Sequence, residues 1–482
     1  RADDRKSWLS EYDNSNIINT KELNITYNDF IDKELIHFSN YDNKRSIPSV
    51  YDGLKPSQRK ILYCCFKRKL VKEIRVAQLA GYVSEHGAYH HGEASLNGAI
   101  INMAQNYVGH KNINILEPNG QFGSRLKGGK DSAQPRYIHT CLTKISNIIF
   151  DKRDEPIYNY TMDDGDKVEP YFYVPIIPMV LVNGTDGIGT GWSTGVPQFN
   201  PTDIVKNLKL LMDGQSPKEM VPYFRGFKGK IKKVSKNSWI TKGVYAIKDL
   251  STVIITELPV GVWTDNFKVH LDFMLSNVIG EVKKRGNIIT RRGDAVKSKN
   301  NFVYLKDYIN DSSESQIHFT LKFDKKILND LLNDIDKDGI NKFEKMFKMV
   351  GKISCNKKLN LYNQFGKLTT FDSPEEILED YFELRSSYYV KRREYIINEL
   401  KKVVLLIKVK VKFILDIINK KIIVNNRSKT NIYEQLEKLD YPKMNNGLLY
   451  IKTDKMYKDG DFDYLIRMPI YNLTKERIEE LK

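Results

Sequence analysis

A long run of apolar residues spaced three or four apart constrains this chain more than any other feature of its sequence. The run begins after Pro374 and extends to Ile418. Its spacing is close to the 3.5-residue period of a coiled coil, and proline is common in the first turn of a helix. Residues 407–412 alternate like a strand, but their place inside the longer run favours helix. A break rich in lysine and asparagine is predicted near residues 425–460, and another helix start at Thr474.

The rest of the sequence predicts further domains, since about 150 residues per domain is typical and the chain has 482. Residues 26–167 contain three short apolar repeats at helical spacing, which fit a helix-turn-helix or winged-helix unit. Strand-like runs dominate residues 168–368, mixed with helical ones. The clearest strand candidates are residues 171–177, 243–247 and 252–256. Residues 1–25 are polar and are interpreted as a linker or the tail of a preceding domain. With residues 369–482 as the coiled-coil region, the predicted fold class is α+β multidomain.

The charge of the chain favours a nucleic-acid partner without requiring one. The sequence has 77 Lys and Arg against 60 Asp and Glu, so its formal net charge is +17. It is also crowded with Lys, Asn, Ile and Tyr, a bias that AT-rich codons impose regardless of function, so DNA binding and codon bias both explain the charge. The four cysteines form no CxxC pair, which argues against a zinc site or a disulfide framework. No apolar run reaches the ~18 residues of a membrane span, so no membrane partner is predicted.

A series of motifs runs through nearly the whole chain. The motifs are Arg45–Lys60, Tyr89–Glu93, Gly120–Ser124, Asp131–Tyr137, Pro175–Gly184, Gly187–Ser193, Phe382–Arg385 and Met468–Thr474. In order and kind they resemble the breakage-reunion core of the type IIA DNA topoisomerases. The forms Tyr89-His-His-Gly-Glu93 and Pro135-Arg-Tyr-Ile138 resemble eukaryotic topoisomerase II more than bacterial gyrase or topoisomerase IV.

This resemblance implies a nuclear homodimer that cuts a gate duplex, passes a transported duplex through it and reseals it, in an ATP-dependent relaxation or decatenation of DNA. Residues 26–167 would be the winged-helix cleavage domain, 168–368 the tower domain and 369–482 a partial C-gate. In the family, Mg²⁺ is bound by a Toprim domain and ATP by an ATPase domain, both upstream of the matched segment. No metal or cofactor site is therefore expected in this chain, and the missing initiator Met fits an excised portion of a longer protein. Residues 1–25 would then be the tail of the Toprim domain.

Tyr137 is the predicted nucleophile. A tyrosine hydroxyl has a pKa near 10, so it attacks poorly at neutral pH unless a cation stabilises its phenolate. The neighbouring Arg136 presents a fork of donors suited to phosphate oxygens. The resemblance implies that attack leaves a 5′-phosphotyrosyl ester on Tyr137 and that His91 stabilises the phosphoryl transition state. Because transesterification keeps the bond energy of the phosphodiester, resealing needs no cofactor energy.

Further residues are predicted to contact DNA. They are Arg45, Lys55, Arg59, Tyr89 and His90, the last two because of the resemblance alone. The first three surround a helix start, where free N–H groups favour phosphate, and the alternative for them is a solvated basic face. Asp52 lies among them and is expected to hold a nearby cation.

Ile188 is predicted to touch DNA in a different way. It stands between Gly187 and Gly189 in a motif that ends at Trp192. One interpretation is a turn isoleucine tucked under Trp192, since buried isoleucine is the common case. The resemblance favours the other, in which Ile188 is a wedge inserted between base pairs that kinks the duplex.

Two acidic clusters and one glycine run have simple explanations. The cluster that starts at Asp334 begins like an EF-hand loop, but its twelfth residue is Lys345, so a turn is expected. Residues 163–166 are interpreted as a polar turn. The run Gly128-Gly129-Lys130 lacks the Walker spacing and is expected to be a flexible approach to the tyrosine.

Two other functions stay open on the sequence. A non-catalytic architectural DNA-binding protein would keep the helix-turn-helix and the basic grooves without forming a covalent bond. A tyrosine recombinase also forms phosphotyrosine, but the sequence lacks its dispersed Arg, His-x-x-Arg and downstream Tyr arrangement.

Overall fold

The computed structural model describes residues 2–19, 24–276, 304–356 and 358–469, together with four two-residue strands between residues 278 and 297 and residue 479. The chain forms two compact units, residues 1–386 and 387–482. Each has its own apolar core. In the described part of the chain, no helix is both long and apolar enough to cross a membrane.

The first unit opens with helices that precede the predicted winged-helix repeats. They are α1 (Ala2–Ser10), α2 (Tyr27–Phe30) and α3 (Ile36–Ser46), with a π-helical turn at Ile31–Leu35. The Thr26 hydroxyl accepts the N–H of Asp29 at 3.1 Å and so caps α2. Since α1 lies within residues 1–25, part of the segment predicted as a linker or domain tail is helical.

Three helices form where the apolar repeats predict them. They are α4 (Pro56–Lys67), α5 (Val76–His86) and α6 (Glu93–Ala104). Pro56 starts α4, where its missing N–H leaves no helical bond unmade. The buried face of α5 consists of Val76, Leu79, Ala80 and Val83. A short antiparallel pair, β1 (Ile74–Arg75) and β2 (His139–Thr140), joins the start of α5 to the chain just after residue 137.

Short elements follow and end at a longer helix. They are α7 (Lys144–Ile149), β3 (Tyr160–Asp163), β4 (Asp166–Pro170), α8 (Met179–Asn183), β5 (Thr185–Ile188), β6 (Ser193–Val196) and α9 (Pro201–Met212). Strand β3 pairs with β4, and β5 pairs with β6, both antiparallel. The second pair is the Ile188 hairpin, residues 185–196.

The strand predicted over residues 171–177 is wrong. The backbone N–H of Tyr173 donates to the Asp52 carboxylate at 2.9 Å, and that of Ile176 to the carbonyl of Ile149 at 2.9 Å. Pro175 has no N–H to offer a ladder. This apolar run is largely buried, but its hydrogen bonds go to separate partners instead of one neighbouring strand.

Residues 230–370 are built mainly from antiparallel strands. The elements are β7 (Lys230–Ser235), β8 (Ser238–Lys242), β9 (Val244–Asp249), β10 (Thr252–Glu257), α10 (Thr264–Ser276), β11 (Val278–Ile279), β12 (Lys284–Arg285), β13 (Ile288–Ile289), β14 (Val296–Lys297), β15 (Asp307–Asn310), β16 (Phe319–Lys322), α11 (Lys325–Asn333), α12 (Lys342–Met346), β17 (Val350–Ser354), β18 (Asn360–Tyr362) and β19 (Leu368–Thr370). One sheet has the order β15-β16-β10-β9 and another β17-β8-β7. Strands β9 and β10 confirm the candidates at 243–247 and 252–256.

The four-stranded sheet packs on helices to form a core. Val253 and Ile255 lie two residues apart on β10, so they share one face of the sheet, and both are fully buried. Phe267 of α10 and Phe343 of α12 belong to the same buried cluster. The end of β10 leads from this core to Glu257, which is buried against the loop that carries Tyr137.

A single helix, α13 (Pro374–Ile418), spans 45 residues. It confirms the long helix predicted from the apolar repeat, including the alternating residues 407–412. Its beginning buries Ile377, Leu378 and Tyr381. Further along, Leu400 and Val403 are exposed, as an unpaired coiled-coil face would be.

The second unit surrounds the end of α13. It contains α14 (Lys429–Lys438), β20 (Lys443–Asn445), β21 (Leu448–Tyr450) and α15 (Asp463–Ile466). The long helix ends before the break predicted near residues 425–460, and this segment contains a short helix and a strand pair. The Ser428 hydroxyl caps α14 by accepting the N–H of Asn431 at 3.3 Å, and Ile432 and Leu436 bury one face. The helix start predicted at Thr474 lies outside the described residues.

Candidate active site

The cleavage loop, residues 120–138, is fastened to the start of α5. The N–H of Val76 donates to the carbonyl of Ile138 at 3.0 Å, and the N–H of Ala77 to that of Pro135 at 3.2 Å. The first N–H groups of a helix have no partner within the helix, so this loop supplies their acceptors. Tyr137 lies between the two bonded carbonyls, and the frame therefore fixes its backbone on both sides.

Tyr137 and Arg136 form the exposed tip of this frame. The Tyr137 side chain is 66 % exposed. The Arg136 guanidinium carbon lies 4.9 Å from the centre of the Tyr137 ring. At this distance the guanidinium is attracted to the face of the ring and keeps its donors near any phosphate that approaches the phenol oxygen. The two residues predicted from sequence as nucleophile and charge stabiliser are thus brought together.

The glycine run of the cleavage loop is closed by hydrogen bonds, which corrects the expected flexible approach. Ser124 N–H donates to the Asp131 carboxylate at 2.8 Å, and Gln105 donates to the carbonyl of Gly129 at 3.1 Å. Gly129 has a φ of +81°, and a Cβ there would lie 2.6 Å from the Gln105 amide nitrogen. The glycine is needed because the loop folds over Gln105.

A buried ion pair joins the cleavage loop to β10. Arg125 and Glu257 approach to 2.5 Å between Nη2 and Oε1, and their side chains are 5 % and 3 % exposed. The same guanidinium nitrogen donates to the carbonyl of Leu258 at 2.9 Å. The sheet core therefore positions the loop through a charge pair that water does not screen.

His91 lies in a cluster of aromatic residues just before α6. Its Nε2 is 2.5 Å from the hydroxyl oxygen of Tyr41 on α3. The Tyr89 ring meets the His91 ring edge to face at 5.3 Å between centroids. When Tyr41 donates to Nε2, the other ring nitrogen, Nδ1, carries a hydrogen and can donate to a phosphate oxygen.

The two residues that precede His91, Tyr89 and His90, have different surroundings. Tyr89 is 8 % exposed, and burial raises the pKa of its hydroxyl. Tyr89 packs against the His91 ring in this structure. Little of its surface is exposed for the predicted contact with DNA. His90 is exposed, and its Nε2 lies 3.2 Å from the Asp163 carboxylate.

Tyr41 was not found by sequence reasoning. It precedes Arg45 by four residues, a spacing that places both on one face of α3. That spacing was the available signal, since a helix over these residues would present a tyrosine beside a predicted DNA contact.

His91 and Tyr137 lie at opposite ends of α5. The Tyr137 frame is bonded to the first residues of α5, whereas His91 follows the end of the helix at His86. The helix has 11 residues, which at 1.5 Å per residue is about 16 Å.

Arg59, which the sequence predicts as a DNA contact, is held inside the protein. Its Nε and Nη2 donate to the Asp52 carboxylate at 2.8 and 3.1 Å, and Nη2 also donates to the carbonyl of Leu54 at 2.7 Å. The residue is 7 % exposed. Arg59 thus stabilises the start of α4 from inside, because its donors are committed to protein acceptors. Asp52 does hold a nearby cation, as predicted.

Arg45 and Lys55 stay available at the surface. The Arg45 side chain is 57 % exposed and pairs with Asp42 at 3.1 Å, a bond that a phosphate can replace. Lys55 is half-buried, and its Nζ donates to the carbonyl of Asp186 at 2.9 Å. Burial lowers the pKa of the Lys55 ammonium.

Ile188 projects from its hairpin into solvent. It is 83 % exposed, which excludes the interpretation of an isoleucine tucked under Trp192. A Cβ on Gly187 would lie 2.1 Å from the carbonyl oxygen of Ser46, and one on Gly189 would lie 2.2 Å from the Asn43 side-chain oxygen. The flanking glycines therefore let the hairpin press against α3 while Ile188 points away.

The described residues contain no group of three or more His, Cys, Asp or Glu side chains that could hold a metal ion. At the EF-hand-like segment the Asp336 carboxylate pairs with Lys345 at 2.7 Å and accepts the N–H of Ile340 at 2.9 Å. These bonds close a turn, as expected.

Comparison with known proteins agrees with this geometry. The family model for the A subunit of DNA gyrase/topoisomerase IV matches residues 45–482, and that of the C-terminal associated domain of TOPRIM matches residues 1–43. DNA topoisomerase 2-alpha of Sus scrofa is 38 % identical over 100 % of this chain, which covers 32 % of that protein. DNA topoisomerase 2 of Arabidopsis thaliana is 39 % identical over 99 % of the chain, again with 32 % of the relative covered.

A solved structure gives the same result. It is the DNA-binding, cleavage and re-ligation domain of Plasmodium falciparum topoisomerase II, with a TM-score of 0.82 and 38 % identity, covering 100 % of this chain and 63 % of that one. The chain belongs to the type IIA DNA topoisomerases. Within them it is a eukaryotic-type topoisomerase II core, and it spans about a third of the length of the full relatives.

Proposed function

We propose that this chain is the part of a topoisomerase II that cuts and reseals the gate duplex. The observation that carries the proposal is an exposed tyrosine beside an arginine, on a loop bonded to the start of α5. The chemistry is a transesterification. The Tyr137 oxygen attacks a DNA phosphorus, the bond to the 3′ deoxyribose oxygen breaks, and a 5′-phosphotyrosyl bond forms while the phenol proton is released and the departing oxygen gains a proton.

Arg136 and His91 would stabilise the charge of this transition state. The Arg136 guanidinium is already held at the Tyr137 ring. Preorganised donors of this kind act without rearrangement during the reaction, and loss of one costs about 10²–10³ in rate. The Tyr41 hydrogen bond would orient His91 toward the phosphate.

Each cleavage site would draw on two protomers. Tyr137 lies on the loop bonded to the first residues of α5, whereas His91 follows the last residue of α5, and we propose that the two act on one phosphate from different subunits. Exposed apolar residues along α13, among them Leu400 and Val403, offer a surface for such a homodimer. In this proposal residues 26–167 are the winged-helix domain, 168–368 the tower and 369–482 part of the C-gate.

Ile188 would bend the gate duplex. An exposed isoleucine on a hairpin held by close glycine packing resembles the apolar wedges that unstack one base step. Arg45, Lys55 and His90 would contact the phosphates on either side. Strand passage, relaxation and decatenation would be activities of the whole protein in the nucleus, with ATP and Mg²⁺ bound by its ATPase and Toprim domains.

Trapping of a covalent complex tests the function. The full-length protein is incubated with duplex DNA and Mg²⁺, denatured, and resolved on a gel that detects DNA joined to protein. Tyr137→Phe should abolish the complex and keep DNA affinity within a few-fold, because only the attacking oxygen is lost. A wild-type protein that binds and bends DNA without forming any complex would be an architectural binder.

Mixed dimers test the shared site. His91→Ala subunits combined with Tyr137→Phe subunits should regain one intact site per dimer and cut one strand. Homodimers of either variant should not, and failure of the mixture to cut would place both residues in one protomer.

A further inference from the structure

A cavity lined by lysines opens at the base of the Ile188 hairpin. It has a volume of about 410 Å³. Lys111 reaches it from the loop after α6, Lys352 from β17 and Lys358 from the segment before β18. The cavity is thus formed by separate parts of the first unit that converge on one space.

The cavity holds more positive than negative charge. Among the described residues that line it, the only carboxylate is that of Asp186. Among the described residues, Lys111, Lys352 and Lys358 form no ion pair of 4.0 Å or less. Lys55 approaches from the side, where its Nζ donates to the backbone carbonyl of Asp186 at 2.9 Å. The lining thus contains three lysines and one carboxylate.

The ionisation of Lys111 and His110 reflects this imbalance. Burial, together with the charge of Lys55, lowers the pKa of Lys111 to about 8. Burial and the charge of Lys111 lower the pKa of His110 to about 3, so its ring is neutral. His110 Nε2 lies 3.0 Å from the Asn102 amide nitrogen.

The cavity lies next to the predicted wedge. Asp186 and Ile188 are two residues apart on β5, so their side chains share one face of the hairpin, about 6–7 Å apart along the strand. A duplex kinked over Ile188 would carry its backbone past the mouth of the cavity. The volume and the excess of positive charge both suit an oxyanion.

We propose that this cavity is a phosphate-binding site in which Lys111 and Lys358 hold the oxyanion. The phosphate comes either from the DNA backbone beside Ile188 or from a free phosphate ion. The first source rests on the proposed function, whereas the second does not. Lys111 and Lys358 act as point charges on flexible stems, a common way to hold phosphate.

The salt dependence of duplex binding tests the DNA source. The logarithm of the DNA-binding constant falls linearly with the logarithm of the salt concentration. Removal of one phosphate contact should reduce the magnitude of this slope by about 0.9. We expect Lys111→Gln and Lys358→Gln each to reduce the slope by that amount in the purified protein. Lys337→Gln, at an exposed lysine that lines no part of the cavity, is the matched control and should leave the slope unchanged.

Thermal unfolding tests the free ion. Inorganic phosphate should raise the melting temperature of the wild type above that in sodium chloride of equal ionic strength, and Lys111→Gln should lose this rise. A change in slope alone assigns the site to DNA, and a phosphate effect alone assigns it to a free ion. Should Lys111→Gln not fold, Lys358→Gln, at an exposed position, gives both measurements.

If neither cavity variant changes the slope or the phosphate effect, the proposal is overturned. The covalent-complex assay with Tyr137 distinguishes failure of the phosphate-site proposal from failure of the proposed cleavage function. A protein that forms no complex but shows the slope change keeps the phosphate site and loses the cleavage function. The opposite pattern keeps cleavage and removes the site.

Discussion

The cleavage loop and the Ile188 hairpin each expose one side chain, but they hold it in different ways. The cleavage loop is fixed by bonds: backbone carbonyls bind the start of α5, and Arg125 forms a buried ion pair with Glu257. The Ile188 hairpin is fixed by the absence of side chains at Gly187 and Gly189, which lets it press against α3.

This difference separates the demands of chemistry from those of bending. A nucleophile needs a defined position and a defined charge environment, which hydrogen bonds and ion pairs provide. A wedge needs only a rigid backbone that holds its side chain away from the protein surface, and close backbone packing provides this rigidity. We therefore expect removal of a charge to disturb the cleavage loop and its chemistry. We expect addition of a methyl group to disturb the hairpin and its bending of DNA.

The largest effect on stability is expected from breaking the buried pair of the cleavage loop. Arg125→Met should lower the free energy of unfolding of its domain by about 3–5 kcal/mol, because Glu257 is left buried and uncompensated. The control is Arg153→Met, which removes an ion pair with Asp151 at an arginine that is 69 % exposed and should cost under about 1 kcal/mol. Equal losses in chemical denaturation would show that burial of the first pair does not matter.

Loss of the charge beside the nucleophile should slow the chemistry and spare the fold. Arg136→Ala is expected to reduce the rate of cleavage by about 10²–10³, since one preorganised charge stabiliser is removed. The rate is followed by rapid quench of covalent complex, with the melting temperature as control. A wild-type rate would mean that another cation stabilises the phenolate.

Addition of one methyl group should disturb the hairpin. Gly187→Ala places a Cβ against the backbone oxygen of Ser46 and should cost about 1–3 kcal/mol of stability together with DNA bending. Gly98→Ala on α6 is the control, since nothing lies within 4 Å of its Cβ, and it should be neutral or stabilising. If Gly187→Ala bends DNA normally at unchanged stability, the glycine packing is not what holds the hairpin.

Truncation of the wedge itself should leave the fold almost untouched. Ile188→Ala removes a side chain that is 83 % exposed, so the melting temperature should fall by no more than about one or two degrees. Energy transfer between dyes at the duplex ends should show reduced bending, with less cleavage. A large loss of thermal stability with normal bending would return Ile188 to a structural role.

The smallest effect is expected at Tyr41, which touches His91 and not the reacting atoms. Tyr41→Phe removes the hydrogen bond to Nε2, which orients the His91 ring, and we expect a several-fold loss of cleavage. In a His91→Ala background the same change should have no further effect. An additional loss in that background would show that Tyr41 acts on its own.

Local patterns predicted the helices well. Pro56, the apolar spacing of α5 and the long repeat from Pro374 to Ile418 all became helices, because each signal is local and each buried face agrees with the tertiary packing. The pairing of Tyr137 with Arg136 was also predictable, since adjacent residues on an exposed loop stay close.

Features that depend on which partner a side chain or a backbone group finds were harder to predict. Arg59 is an arginine beside a helix start in the sequence, but Asp52 and the carbonyl of Leu54 draw it inside. Residues 171–177 have the composition of a strand and find no strand to pair with among the described residues. The lysine cavity combines residues from positions 111 and 358, a relation that no periodicity reveals.

The most direct test of the account is to locate the covalent bond. The trapped complex is digested with nuclease and protease, and the nucleotide-bearing peptide is sequenced by mass spectrometry. We predict that the 5′ nucleotide is carried by Tyr137, one of 28 tyrosines in the chain. A nucleotide on any other residue, or a 3′ linkage at Tyr137, would contradict the account.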